Sequence, residues 1–192
     1  MRVVRLVFLA IACLPCLGLA GGGVVSAQSL EETYDATLAA YNSTLNHLEE
    51  CDEAFAAFQQ FAKEQRPPTG STKEAWDNWA KAYRVWVDVF TGCMRKLKKE
   101  ADDLKRKLDE LEKQLDLLAD TETRLPPRKK DDDKKKKAQD FLKKGEADLE
   151  KWTLNVRYKI ERVNDWSREA SEQVNEHGSG DVKIEPRFEF RF

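Results

Sequence analysis

The sequence predicts an all-α protein: an elongated antiparallel three-helix bundle of coiled-coil type, followed by a short extended C-terminal tail. Apolar residues recur at intervals of three and four along three long segments, and prolines or glycines separate those segments. Charged residues make up 35% of the chain, so the faces opposite the apolar stripes are strongly polar. Periodic apolar residues in so charged a chain favour long packed helices over disorder.

Residues 1–27 are predicted to be an export signal. Arg2 and Arg5 supply its positive start, Leu6 to Ala12 supply its apolar run, and Val25-Ser26-Ala27 forms a small-residue cleavage site. Cleavage there would leave a mature chain that begins at Gln28. The protein is therefore expected to be exported, with a periplasmic or extracellular location.

Two other interpretations of this segment stay open. An uncleaved membrane anchor needs a longer uninterrupted apolar span, and Pro15 together with four glycines makes the segment a poor membrane helix. A lipoprotein signal would be modified at Cys13 or Cys16, but the residues before each cysteine resemble a lipobox poorly. The lipid-anchored form is therefore the less favoured location.

The first helix is predicted over residues 28–66. The Ser29 hydroxyl can cap its first turn, Glu31 and Glu32 favour the positive end of its dipole, and Pro67 terminates it. The apolar residues that mark its predicted buried face are Leu30, Tyr34, Leu38, Tyr41, Leu45, Leu48, Cys51, Phe55, Phe58 and Ala62.

A long central helix is predicted over residues 71–120. It opens with Ser71-Thr72-Lys73-Glu74, in which Glu74 can reach back to the Ser71 amide as in a capping box. Its stripe is aromatic first and leucine-rich afterwards, and the leucine part is expected to extend past the first helix. We therefore expect a partner or a second copy of the chain there. The stripe comprises Trp76, Trp79, Tyr83, Trp86, Phe90, Cys93, Leu97, Ala101, Leu104, Leu108, Leu111, Leu115 and Leu118.

Three tryptophans in the first part of this stripe have two interpretations. Trp76, Trp79 and Trp86 could form a platform for sugar rings or an apolar client. They also share the phase of the leucines, which favours a place in the bundle core opposite Phe55 and Phe58.

Cys51 and Cys93 are predicted to form a disulfide. They are the two cysteines that follow the signal, and an even count in an exported protein favours pairing. Both lie on apolar stripes of neighbouring antiparallel helices, and the connection between those helices is long enough to bring them level. Two buried free thiols are the alternative.

The third helix is predicted over residues 131–177, and a basic segment precedes and opens it. This segment could contact anionic lipid headgroups or polyanions at the envelope surface, or it could be a solvated helix start whose charge is offset by Asp131, Asp132 and Asp133. Its basic residues are Arg128, Lys129, Lys130, Lys134, Lys135, Lys136 and Lys137.

The tail, residues 178–192, alternates apolar and polar residues and ends in Phe188-Glu189-Phe190-Arg191-Phe192. This ending resembles the C-terminal sorting segment of Gram-negative outer-membrane proteins, although the alternating strands of that family are missing from the rest of the chain. The resemblance implies a peptide that adds as a strand to a receptor edge, with Phe188, Phe190 and Phe192 as its contacts. The alternative is a tail that folds back on the bundle or stays loose.

The sequence carries no recognisable catalytic motif. It has two histidines, no phosphate-binding glycine loop and no nucleophile elbow, and no cofactor or metal is expected. A formal net charge of −2 argues against nucleic-acid binding. We therefore expect an exported, non-enzymatic coiled-coil protein that serves the cell envelope as a structural or protein-binding element, with an unidentified protein partner or as a homo-oligomer. An envelope chaperone or inhibitor that grips a client protein is the alternative.

Overall fold

The computed structural model describes residues 29–122 and 129–185, which form three long helices: α1 (Leu30–Glu64), α2 (Lys73–Glu122) and α3 (Lys129–His177). No strand occurs within these ranges, and each helix packs against the other two, so the predicted all-α three-helix bundle is confirmed. The following predicted features lie outside the described residues: the signal segment 1–27, Arg128, and the tail residues Phe188, Phe190 and Phe192.

The helix ends lie within two residues of the predicted ends, and the two described N-terminal caps differ in how well they were anticipated. At α1, the Glu32 N–H donates to the Ser29 hydroxyl and the Ser29 N–H donates to the Glu32 carboxylate, a complete capping box. At α2 the predicted Ser71 box is wrong. The Ser71 N–H donates to the Pro68 carbonyl in a turn, and the Thr72 hydroxyl accepts from the Ala75 N–H instead.

The antiparallel register of α1 and α2 is recorded at two separated points. Cys51 and Cys93 are joined as a disulfide with their Cα atoms 5.7 Å apart. Further along, the Thr37 hydroxyl shares its proton between the Thr33 carbonyl of its own helix and the Lys107 carbonyl of α2, at 2.7 and 3.2 Å. Thr37 and Lys107 lie equally far along their helices from the cysteines. The two helices therefore stay in one register over this distance.

This register overturns the prediction that the leucine part of α2 extends beyond α1. Leu30 and Tyr34, in the first turns of α1, pack against the cluster that contains Leu111 and Leu115. Leu104 and Leu111 are fully buried. The rise of about 1.5 Å per residue carries both helices the same distance from the disulfide, so α1 reaches almost as far as the leucines do.

Threonines, rather than only the predicted apolar residues, form much of the buried face in the first half of α1. Thr33, Thr37 and Thr44 are buried, whereas Leu38 and Leu45 are partly exposed. The hydroxyls of Thr37 and Thr44 donate to the carbonyls of Thr33 and Ala40, four residues earlier. Because those hydroxyls are satisfied by their own helix, burying them costs little.

Helix α3 runs parallel to α1 and antiparallel to α2, and the apolar stripe of α3, from Ala138 to Val174, lies at the core. The Tyr41 hydroxyl donates to the Asp148 carboxylate at 2.6 Å. On the α2 side, a Cβ added to Gly145 would lie 2.8 Å from a Leu108 methyl carbon. The glycine in the α3 stripe therefore makes room for a leucine of α2.

The chain after α3 folds back on the bundle as far as it is described. The Ser179 N–H donates to the Asp77 carboxylate at 3.1 Å, and the hydrogen bonds from Ser179 lower the pKa of Asp77. Val182 and Ile184 are buried in the same core as the helices. For residues 178–185 the structure therefore matches the folded-back alternative rather than a free extended tail.

Candidate functional site

A groove with an aromatic floor and a charged rim lies between the three helices near the end of α1. We call it the aromatic groove, and its volume is about 360 Å³. Its floor is formed by buried residues of α2 and α3, and its rim by more exposed residues of α1, the following turn and α3. The residues that line it are Ala62, Lys63, Arg66, Trp79, Tyr83, Arg162, Trp166, Glu169 and Ala170.

Helical spacing accounts for the position of the floor. Trp79 and Tyr83 are four residues apart on the α2 stripe, and Trp166 and Ala170 are four apart on the α3 stripe, so each pair faces the same direction. Helix α1 ends at Glu64. Beyond that point no further turn of α1 covers the rings, and the groove opens there.

The floor is held in place by ring contacts with α1. The Phe58 ring lies 5.1 Å from Tyr83 and 5.9 Å from Trp166, in edge-to-face geometry in both cases. The Phe61 ring lies 6.3 Å from Trp79 and is stacked with it. Such contacts add about 0.5–1.5 kcal/mol per pair beyond simple burial, so they stabilise the floor rings in this arrangement.

Two polar groups in the floor, the Tyr83 hydroxyl and the Trp79 indole N–H, differ in whether they have a hydrogen-bond partner. The Tyr83 hydroxyl is 3.3 Å from the Ser167 hydroxyl, and burial raises the pKa of Tyr83 well above its usual value, so the phenol stays protonated. The Trp79 indole N–H has no acceptor within the described parts of the chain. The nitrogen itself is buried, and an unpaired buried donor costs about 1–3 kcal/mol.

The rim carries more positive than negative charge. Lys63, Arg66 and Arg162 are cationic and Glu169 is the acidic member, although the whole chain has a net charge of −2. Within residues 29–122 and 129–185, neither Lys63 nor Arg66 forms an ion pair with an acidic side chain. The groove is therefore a local cationic site on an acidic protein.

Arg162 is held in position by its neighbours, but its guanidinium makes no close hydrogen bond to a carboxylate. Its guanidinium lies 5.6 Å from the Trp166 ring centre, over the ring. Its nearest acidic atom is a carboxylate oxygen of Asp165 at 3.6 Å, too far for a good hydrogen bond, and the other oxygen of Asp165 accepts from Arg168 at 3.0 Å. The N–H groups of Arg162 are therefore available to an anion in the groove.

The structure brings part of the predicted basic segment against the acidic first turn of α1. Lys134 forms an ion pair with Glu31 at 2.6 Å, and the Lys137 ammonium lies 5.0 Å from the Tyr34 ring centre. This pairing favours a solvated helix start over a surface that presents all of its positive charge. The aromatic groove lies near the far end of α1, so the two basic regions are separate.

The tryptophan series packs in or against the core, and one member, Trp79, also forms part of the groove floor. Trp76 and Trp79 are buried and Trp86 is partly exposed, which agrees with the core interpretation.

The charged rim of the aromatic groove was not predicted from the sequence. The available signal was the spacing of Arg162 and Trp166, because residues four apart on a helix can place a guanidinium over a ring.

No group of three or more His, Cys, Asp or Glu residues in 29–122 and 129–185 is arranged to hold a metal ion. None of the helices described is both long and apolar enough to cross a membrane. No family model matches the chain, and comparisons with curated proteins and with solved structures found no match.

Proposed function

We propose that this protein is an exported, non-enzymatic helical binding element of the cell envelope, and that it holds a protein partner in the aromatic groove. The aromatic groove carries the proposal. Buried rings with a charged rim are the composition of binding hot spots, in which aromatic and arginine residues contribute most of the affinity. A bundle that served only as a spacer would not need such a groove.

The cross-links between the walls of the groove support binding rather than spacing alone. Its walls come from three helices, and the disulfide ties two of these together through Cys51 and Cys93. The Phe58 and Phe61 rings hold the floor from below. A preformed site loses less conformational entropy on binding, so a small area can contribute useful affinity.

Site-specific photo-crosslinking in the native envelope tests the groove. A photo-reactive residue at Lys63 and another at Glu169 lie on two sides of the groove and are expected to capture the same single protein. The matched control is position Val85, which is 61% exposed on α2 and does not line the groove. The proposal fails if the groove positions yield no discrete product, or only the products that position 85 yields.

Export is tested separately by the mass and location of the protein. We expect the mature chain to begin at Gln28 and to occur in the periplasmic or extracellular fraction with Cys51 and Cys93 oxidised. An intact mass that includes a lipid on Cys13 or Cys16 would replace this with the lipid-anchored form. Retention in the cytoplasm would contradict export.

A further inference from the structure

The chemistry of the aromatic groove narrows the partner segment that it can hold. The floor offers the exposed parts of the Trp79 and Trp166 rings, which pack around the buried Tyr83, and the rim offers three cationic side chains around them. An aromatic side chain can lie against those rings by stacked or edge-to-face contact. A carboxylate beside that side chain would reach the cationic rim.

Arg162 is the residue best arranged to receive a carboxylate. Its guanidinium is held over the Trp166 ring, and Asp165 is shared with Arg168. A guanidinium binds a carboxylate through two parallel hydrogen bonds, and holding the guanidinium beforehand reduces the entropy lost. Arg66, which follows the end of α1, supplies a second cation to the same groove.

The charge distribution argues for a short acidic segment rather than a polyanion. The three positive side chains of the rim lie within this one groove, and Glu169 stands among them. The chain as a whole has a net charge of −2 and would repel an extended polyanion such as a nucleic acid. A segment with only one or two carboxylates can pair with the cations of the rim and is repelled much less by the rest of the protein.

We infer that the aromatic groove recognises an acidic–aromatic segment of its protein partner, in which an Asp or Glu adjoins a Phe, Tyr or Trp. This inference rests on the proposed function, since it specifies what the groove of a binding element selects. The aromatic side chain contacts the exposed parts of Trp79 and Trp166, and the carboxylate accepts hydrogen bonds from Arg162 with Arg66 close by.

Peptide binding to the mature protein tests this selectivity directly. The probe is a blocked ten-residue Gly/Ser peptide with Glu-Phe at its centre, and the two control peptides carry Gln-Phe or Glu-Ala instead. Titration calorimetry at low salt is expected to give a dissociation constant at least about tenfold weaker for each control, because each lacks one of the two contacts. Equal affinity for the three peptides, or no binding by any, overturns the inference.

Variants of the protein locate the contact. Arg162→Gln is expected to bind the Glu-Phe peptide about tenfold more weakly and the Gln-Phe peptide unchanged, since the lost partner is the carboxylate. The matched control is Arg157→Gln, on the same helix but away from the groove, which should bind like the wild type. Circular dichroism and unfolding midpoints confirm that both variants fold. An Arg162→Gln variant that still prefers Glu-Phe contradicts the assignment.

The outcomes separate this inference from the proposed function. A discrete crosslinked partner combined with peptide binding that ignores the Glu or the Phe would overturn the inference alone. Selective peptide binding without any crosslinked partner in the envelope would overturn the proposed function alone. If free N-acetyl-phenylalanine binds as tightly as the Glu-Phe peptide, the site selects a small aromatic acid and the protein-segment inference is wrong.

Discussion

Two grooves of similar size lie along this bundle, and their different chemistry is instructive. The aromatic groove has a volume of about 360 Å³, and a second groove between α2 and α3, which we call the leucine groove, has about 420 Å³. The leucine groove contains no aromatic ring. Its lining residues are Lys105, Leu108, Asp109, Glu146, Leu149, Glu150, Thr153, Leu154 and Arg157.

The larger groove is the poorer candidate for specific binding. Its three acidic and two basic side chains offset one another, whereas the aromatic groove presents three cations against one acid. Leu154 is 59% exposed and offers a flexible aliphatic contact rather than a fixed ring. Volume alone therefore does not identify a site, and the decisive features are rigid rings and charge of one dominant sign.

The largest expected decrease in the free energy of unfolding comes from replacing a fully buried side chain with alanine, at Phe58 in α1 or at Leu104 in α2. Phe58→Ala should lower the free energy of unfolding by about 3–5 kcal/mol and Leu104→Ala by about 2–5 kcal/mol, since each leaves a cavity at a fully buried position. Only Phe58→Ala should also weaken peptide binding, because Phe58 supports Tyr83 and Trp166. Urea unfolding and calorimetry measure the two quantities. Equal loss of binding in both variants would show that the grooves are coupled.

Removal of the disulfide tests whether it holds α1 in its register against α2. Cys51→Ala/Cys93→Ala should lose about 4 kcal/mol on the chain-entropy account for a sequence separation of 42. Denaturant unfolding of this variant is compared with that of the wild type after reduction with dithiothreitol, and the two should agree. A loss below about 1 kcal/mol would mean that packing alone sets the register.

A partly buried ion pair lies next to the disulfide and joins α1 to α3. Lys159 is 6% exposed, and its ammonium bonds to Asp52. Asp52→Asn should cost about 1.5–3 kcal/mol, because a charge-assisted hydrogen bond is lost at a buried ammonium. In a Lys159→Met background the same substitution should cost less than about 0.5 kcal/mol, measured by urea unfolding. Equal costs in the two backgrounds would exclude a contribution from the pair.

Two buried tyrosines make stability depend on alkaline pH. Burial first, and then the hydrogen bond to Asp148, raise the pKa of Tyr41 to about 12 from its usual 10. The folded protein therefore keeps a proton that the unfolded chain releases, so the free energy of unfolding should fall between about pH 10 and pH 12. Burial of Tyr83 acts in the same direction.

Substitution separates the Tyr41 contribution. Tyr41→Phe should flatten the decline without abolishing it, because Tyr83 still contributes. Tyr158→Phe is the matched control, since Tyr158 is 58% exposed, and it should leave the slope unchanged. Urea midpoints at several alkaline pH values measure this. A Tyr41→Phe slope identical to that of the wild type would contradict the assignment.

The smallest expected effect lies beside the leucine groove, where α3 carries Gly145 against Leu108. Gly145→Ala gains about 1 kcal/mol of helix propensity but forces a Leu108 methyl group to move, so stability should stay within about 1 kcal/mol of the wild type. Leu108→Ala should cost less in the Gly145→Ala background than alone, because the added methyl group partly fills the cavity. Additive costs in a double-mutant cycle of unfolding free energies would refute this contact.

The sequence was sufficient to predict the three-helix bundle, because apolar residues recur at nearly regular intervals along α2 and α3. The sequence predicted the buried face of α1 less well, because Thr33, Thr37 and Thr44 take the place of apolar residues there. The hydroxyls of Thr37 and Thr44 bond to the preceding turn and are therefore compatible with a core, but hydrophobic periodicity treats them as polar. The Ser71 cap was misplaced by one residue, since the preceding turn uses the Ser71 N–H.

The aromatic groove could be predicted only in part. The floor rings follow from the stripes, but the rim brings together Lys63 and Arg66 at the end of α1 with Arg162 and Glu169 on α3. These residues come together only when α3 has one particular position along the bundle axis relative to α1. A repeating apolar stripe does not determine that position, because a shift by a whole turn of helix still pairs apolar residues. Side-chain periodicity therefore identifies the face of each residue but not its level along the bundle.

The disulfide resolves the same ambiguity for α1 and α2 during folding. A slip of one helical turn between two such stripes would still pair apolar with apolar, yet it would separate Cys51 and Cys93 by about 5.4 Å more along the axis, beyond the reach of a disulfide. Both cysteines precede α3 in the chain. On the proposed export route, oxidation can therefore select the correct hairpin alignment before the third helix arrives to pack on it.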